Sequence, residues 1–85
     1  MKLQLESGEE GEAQSLDGNT LTLLSPRAFA PGSPIRFSVA VEDQRRSFEG
    51  RTIGSKRVGG DRFEVRLRFV NLRRADRALL LESLA

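Results

Sequence analysis

With 85 residues and neither cysteine nor histidine, the chain is long enough for one small domain and excludes a disulfide framework and any thiolate or imidazole metal site. The net charge of +2 conceals an asymmetry: residues 1–25 hold one cation against five acids, a net −4, and the remainder holds thirteen cations against seven acids, a net +6. No apolar run is long enough for a signal peptide or a membrane span, so the expected class is a soluble cytoplasmic protein.

The stretch KLQLE turns Leu3 and Leu5 to one side and predicts a first strand. SGEEG then reads as a turn, and a second, edge-like strand is expected from about Glu12 to Leu16. Asp17-Gly18-Asn19 is a strong turn signal, because glycine and asparagine tolerate positive φ, and TLTLL follows as a third strand. SPRAFAPGSP carries all three prolines, each of which removes a ladder donor, and reads as a loop with Phe29 tucked inward.

The second half alternates more cleanly. Ile35, Phe37, Val39 and Val41 fall on one face of a strand, with Arg36, Ser38, Ala40 and Glu42 on the other. After a turn at EDQR, Phe48 and Ile53 lie on opposite parities, which predicts a bulge near Gly50 or Gly54 if both are buried. A tight GGD turn leads into the last strand, with Phe63, Val65, Leu67 and Phe69 inward and Arg62, Glu64, Arg66 and Arg68 outward. From Leu72 the period changes to a helical one over about 73–84, with Leu72, Ala75, Leu79 and Leu84 on a stripe and Asn71 as the expected N-cap. Arg73, Arg74 and Arg77 crowd the helix start, where the macrodipole disfavours cations and only Asp76 complements it.

Six short antiparallel strands and one terminal helix predict an all-β fold: a closed six-stranded β-barrel, one domain over 1–85, with the helix against one opening burying Leu79, Leu80 and Leu84. Catalysis is not expected, since without histidine or cysteine only carboxylates and lysines remain and Glu9, Glu10 and Glu12 have no evident partner. GSKRVGG lacks the phosphate-loop spacing. A nucleic-acid interface is disfavoured, because the only aromatics are five Phe and at least three of them point inward.

PGSPIRFSVAV, FEGRTIGS and FEVRLRFVNLRRADRALLLESL together resemble the C-terminal two thirds of a PilZ domain. The matching positions are Pro31, Gly32, Gly50, Arg68, Phe69, Leu72, Asp76, Arg77 and Leu80 or Leu81. The resemblance implies a six-stranded barrel with a C-terminal helix. It also implies a ligand, cyclic di-GMP, held in that family by an RxxxR segment and a (D/N)xSxxG segment. The first has no counterpart, as no arginine precedes Arg27, and the second falls on SLDGNT, where Ser15, Asp17 and Thr20 replace the three defining residues.

The resulting expectation is a non-catalytic bacterial adaptor, monomeric or weakly dimeric and without a cofactor, that binds an acidic protein through Arg62, Arg66, Arg68, Arg73, Arg74 and Arg77. The resemblance associates such divergent domains with motility and type IV pilus regulation. The alternative is a cyclic di-GMP receptor using Arg45, Arg46, Arg66 and Arg68 beside Ser15, Asp17 and Thr20.

Overall fold

A computed structural model describes residues 1–41 and 43–84; Glu42, expected on the outer face of its strand, lies outside them. Six strands, β1 (Lys2–Leu5), β2 (Glu10–Asp17), β3 (Thr20–Ser25), β4 (Pro34–Val41), β5 (Gln44–Gly59) and β6 (Arg62–Phe69), precede a helix α1 (Arg74–Leu84). They form a closed barrel in the order β1-β2-β3-β6-β5-β4, every pairing antiparallel. The expected fold class is the observed one. Two three-stranded meanders, β1–β2–β3 and β4–β5–β6, meet along two seams, β3–β6 and β1–β4. The second seam is narrow among the described residues, with Gln4↔Ser38 and Leu5↔Phe37 in register and a further bond from Glu6 N–H to Arg36 C=O at 3.0 Å.

Alternation explains the core. Leu3, Leu5, Leu21, Leu23, Ile35, Phe37, Val39, Val65, Leu67 and Phe69 are buried at every second position of their strands. Phe37, Phe48 and Phe69 meet in a three-ring cluster, with centroids 5.4, 5.8 and 6.0 Å apart. Gly50 makes this packing possible: a Cβ there would stand 2.6 Å from Leu67 Cδ1 and 2.8 Å from the Arg68 carbonyl oxygen. The half-buried Phe29 packs on the core and is held by Ser55, whose hydroxyl accepts from Phe29 N–H and donates to Phe29 C=O, each at 2.8 Å.

Of three register shifts, one lies between Arg57 and Gly59 near the β5–β6 turn and the other two reset the alternation. Between Ala13 and Ser15 the register shifts, so Gln14 is the extra residue and Leu16, not Ser15, turns toward the core. A second shift lies between Thr52 and Gly54. The bulge expected near Gly54 is therefore present, but Ile53 is its extra residue and stays 39% exposed instead of entering the core. Thr52 takes the inward place, and its Oγ1 accepts a hydrogen bond from the Ser33 hydroxyl at 3.2 Å.

The helix differs from expectation in two respects. Asn71 adopts φ 56, a left-handed conformation that an N-cap does not have. The N-cap is Arg73, whose carbonyl accepts from Arg77 N–H at 2.9 Å, and Asn71 is the turn that swings the chain from strand to helix. Ala75, expected on the apolar stripe, is exposed, whereas Leu80 is buried as expected and anchors the helix, flanked by half-buried Leu72, Asp76, Leu79 and Leu84. Met1, Leu16, Val41, Leu72 and Leu84 pack at the same end of the barrel, which the helix covers. Among the described residues no helix is long and apolar enough to cross a membrane.

Candidate functional site

The strand register lays the expected site residues out on the outer wall. One row across four strands runs Asp17↔Thr20↔Arg68↔Arg51. The next runs Ser15↔Thr22↔Arg66↔Gly54. Ser15, Asp17 and Thr20 thus stand in line with Arg66 and Arg68, although more than forty residues separate them in sequence. Arg51 joins this group from β5. Opposite side chains on adjacent strands lie about 5 Å apart at Cβ and diagonal ones about 7–8 Å, so Arg51, Arg66 and Arg68 form one triangle of exposed cations.

The other expected residues lie elsewhere. Arg62 opens β6 six residues before Arg68, about 20 Å along the strand, opposite Gly59. Arg73, Arg74 and Arg77 are exposed around the start of α1, beyond the other end of β6. The six arginines expected to form one partner surface are therefore spread from one barrel end to the other. Arg45 and Arg46 belong to β5 and not to a turn, and as successive strand residues they face opposite sides. Arg46 reaches over the barrel mouth to α1, donating from Nη1 to Asp76 Oδ1 at 3.0 Å.

Charge is distributed with the same selectivity. Three of the five acids of the N-terminal segment are answered locally: Glu9 pairs with Arg27, Glu10 with Lys2 at 3.9 Å, and Glu6 with Arg36 at 3.5 Å. Arg36 is also bonded to Glu49 at 3.2 Å. The hydrogen bond and charge of Glu49, then those of Glu6, raise the Arg36 guanidinium above its ordinary pKa. Among the described residues, Arg51, Arg66 and Arg68 have no ion pair. These three arginines are the cations that mark the β3–β6–β5 wall, with Glu64 of β6 and Asp17 of β2 on the same outer face.

Arg51 was missed in reading the sequence. Its outward parity was readable from the inward Gly50, but its place opposite Arg68 depends on the bulge at Ile53 and on a hairpin register that no local pattern encodes. The wall can bind an anion or a carboxylate-rich surface, since each guanidinium presents a planar fork of donors. Comparison of the chain with family models, with curated proteins and with solved structures returns no match.

Proposed function

We propose that the chain is a non-catalytic binding module whose β3–β6–β5 wall docks an acidic protein partner. The observation that supports this most directly is the Arg51–Arg68 pairing, two cations in register with Arg66 diagonal to them, none of the three in an ion pair among the described residues although Asp17 and Glu64 share the outer face. Such an arrangement costs stability in the free protein and becomes favourable when an acidic surface is brought to it. The resemblance to PilZ domains adds the setting: a bacterial cytoplasmic signalling adaptor in motility or type IV pilus regulation.

A second reading rests on the row Asp17↔Thr20↔Arg68 and its neighbour Ser15↔Thr22↔Arg66. These rows put the positions aligned with the family's second ligand motif beside two arginines, as a cyclic di-GMP site would require. The Asp17 carboxylate opposes the phosphates, which places this reading second.

Two amide-shift titrations of the labelled chain decide between them, one with a polyglutamate peptide and one with cyclic di-GMP. Saturable shifts at Arg51, Arg66 and Arg68 with the peptide, lost in the Arg66→Glu/Arg68→Glu double variant, are the expected result. Saturation by cyclic di-GMP around Ser15, Asp17 and Thr20 would replace the first reading by the second. Silence in both titrations removes both.

A further inference from the structure

β5 outruns its neighbour. β6 ends at Phe69, opposite Gly50, whereas β5 begins at Gln44, so residues 44–49 are laddered to β4 and extend past the end of β6. The last rung on the β6 side is the 3.1 Å bond from Val70 N–H to Glu49 C=O. Backbone groups alternate in direction along an antiparallel strand. Arg45 and Ser47 share the parity of Glu49, and their N–H and C=O groups therefore point into the lane that β6 has left. Neither has a backbone partner there among the described residues.

The lane is open. The left-handed Asn71 carries the chain out of it toward α1. What remains is a cleft of about 640 Å³ lined by Phe48 and Phe69, by the cations Arg45, Arg46 and Arg73, and by two carboxylates already engaged, Glu49 by Arg36 and Asp76 by Arg46.

We propose that this edge binds an extended acidic segment of another protein, which adds to β5 as a strand in the position β6 would have occupied. Strand addition needs a row of unpaired backbone groups and side-chain chemistry that selects the incoming segment, and both are present. Arg46 is engaged by Asp76, whereas Arg45 and Arg73 hold no ion pair among the described residues. The first turn of α1 opens beside the cleft and adds the positive end of its dipole.

A second copy of the chain is the rival for any open edge. Antiparallel self-pairing would lay Gln44-Arg45-Arg46-Ser47 against itself, arginine beside arginine, at a spacing where like charges destabilise. The edge is also separate from the arginine wall, since Arg45 lies six residues along β5 from Arg51, about 20 Å away.

The test uses the full labelled chain and two short probe peptides, one alternating valine with glutamate and one alternating valine with lysine. In the free protein the Arg45 and Ser47 amides should exchange at least about tenfold faster than those of Arg46 and Phe48, which face β4. The glutamate peptide should shift and protect Arg45 and Ser47 saturably, and the lysine peptide should not. Ser47→Pro deletes a lane-facing N–H that the β4 ladder does not use, and Arg45→Glu reverses one charge while leaving the backbone intact; each should abolish these shifts. Equal exchange of the four amides in dilute free protein overturns the proposal, as do peptide shifts confined to Arg51, Arg66 and Arg68. Protection that grows with protein concentration alone assigns the edge to a second copy and also overturns it. The Arg66→Glu/Arg68→Glu variant should still show the Arg45 and Ser47 shifts, which separates a failure at this edge from a failure at the wall.

Discussion

Arg51 and Arg68 stand directly opposite each other across the β5–β6 ladder, both exposed on the outer wall. Arg51 is drawn partly aside by donating from Nη1 to the Gly32 carbonyl at 3.2 Å. Replacing one cation by an anion should turn a repulsive rung into an attractive one. Arg68→Glu is expected to stabilise the fold by about 0.2–1 kcal/mol in urea denaturation and to weaken polyglutamate binding at the wall. A destabilised variant would show that the two guanidinium groups do not repel in the native state, and would remove the argument that the wall is kept for a partner.

Gly50 and Gly54 offer a matched comparison. A Cβ at Gly50 would meet Leu67 and the β6 backbone inside contact distance, whereas one at Gly54 meets nothing within 4 Å. Gly50→Ala should cost about 1–3 kcal/mol through overpacking. Gly54→Ala should fall within about 0.5 kcal/mol of the parent or stabilise slightly. Thermal denaturation of the two variants side by side checks the pair.

Leu80 fixes the helix to the barrel: it is 0% exposed, while its neighbour Leu81 is 44% exposed. Leu80→Ala is expected to cost about 2–5 kcal/mol, against about 0.5 kcal/mol or less for Leu81→Ala. Amide exchange should show helical protection falling before that of β3 and β6. Equal effects at the two positions would mean that α1 is not anchored through Leu80.

Asn71 sits at φ 56, which asparagine and glycine adopt readily and β-branched residues do not. Asn71→Gly should therefore leave stability nearly unchanged. Asn71→Val should cost about 1–3 kcal/mol, read from the denaturation midpoint with an unchanged slope.

Strand alternation made most of this fold readable. β6 was visible from Phe63 to Phe69 because inward Phe63, Val65 and Leu67 are each followed by an outward charge, and Asp17-Gly18-Asn19 announced its hairpin through glycine, which takes φ 62. The helix stripe was misread at Ala75, whose apolar side chain fits the helical period, whereas Leu80 was expected against the barrel opening and is buried. The candidate sites were legible as residues and not as places. Outward arginines were evident on β6, but Arg51 joins Arg66 and Arg68 only through pairing across a bulge. The open edge at Arg45 and Ser47 arises because β5 is longer than β6, a difference of element length that no residue in either strand signals.

The two seams have a consequence for how the molecule comes together. Four of its six strand pairings join neighbours in sequence, and only β1–β4 and β3–β6 connect one meander to the other. Each meander alone is a curled sheet with an apolar face and two free edges, and neither can bury that face before the other exists. Folding is then in essence an association reaction between two sheets held together by the 26–33 tether, in which the loop-closure entropy of long-range pairing sets the pace. The same geometry lets a sheet from one molecule close on its counterpart from another whenever the tether opens before the seams have formed.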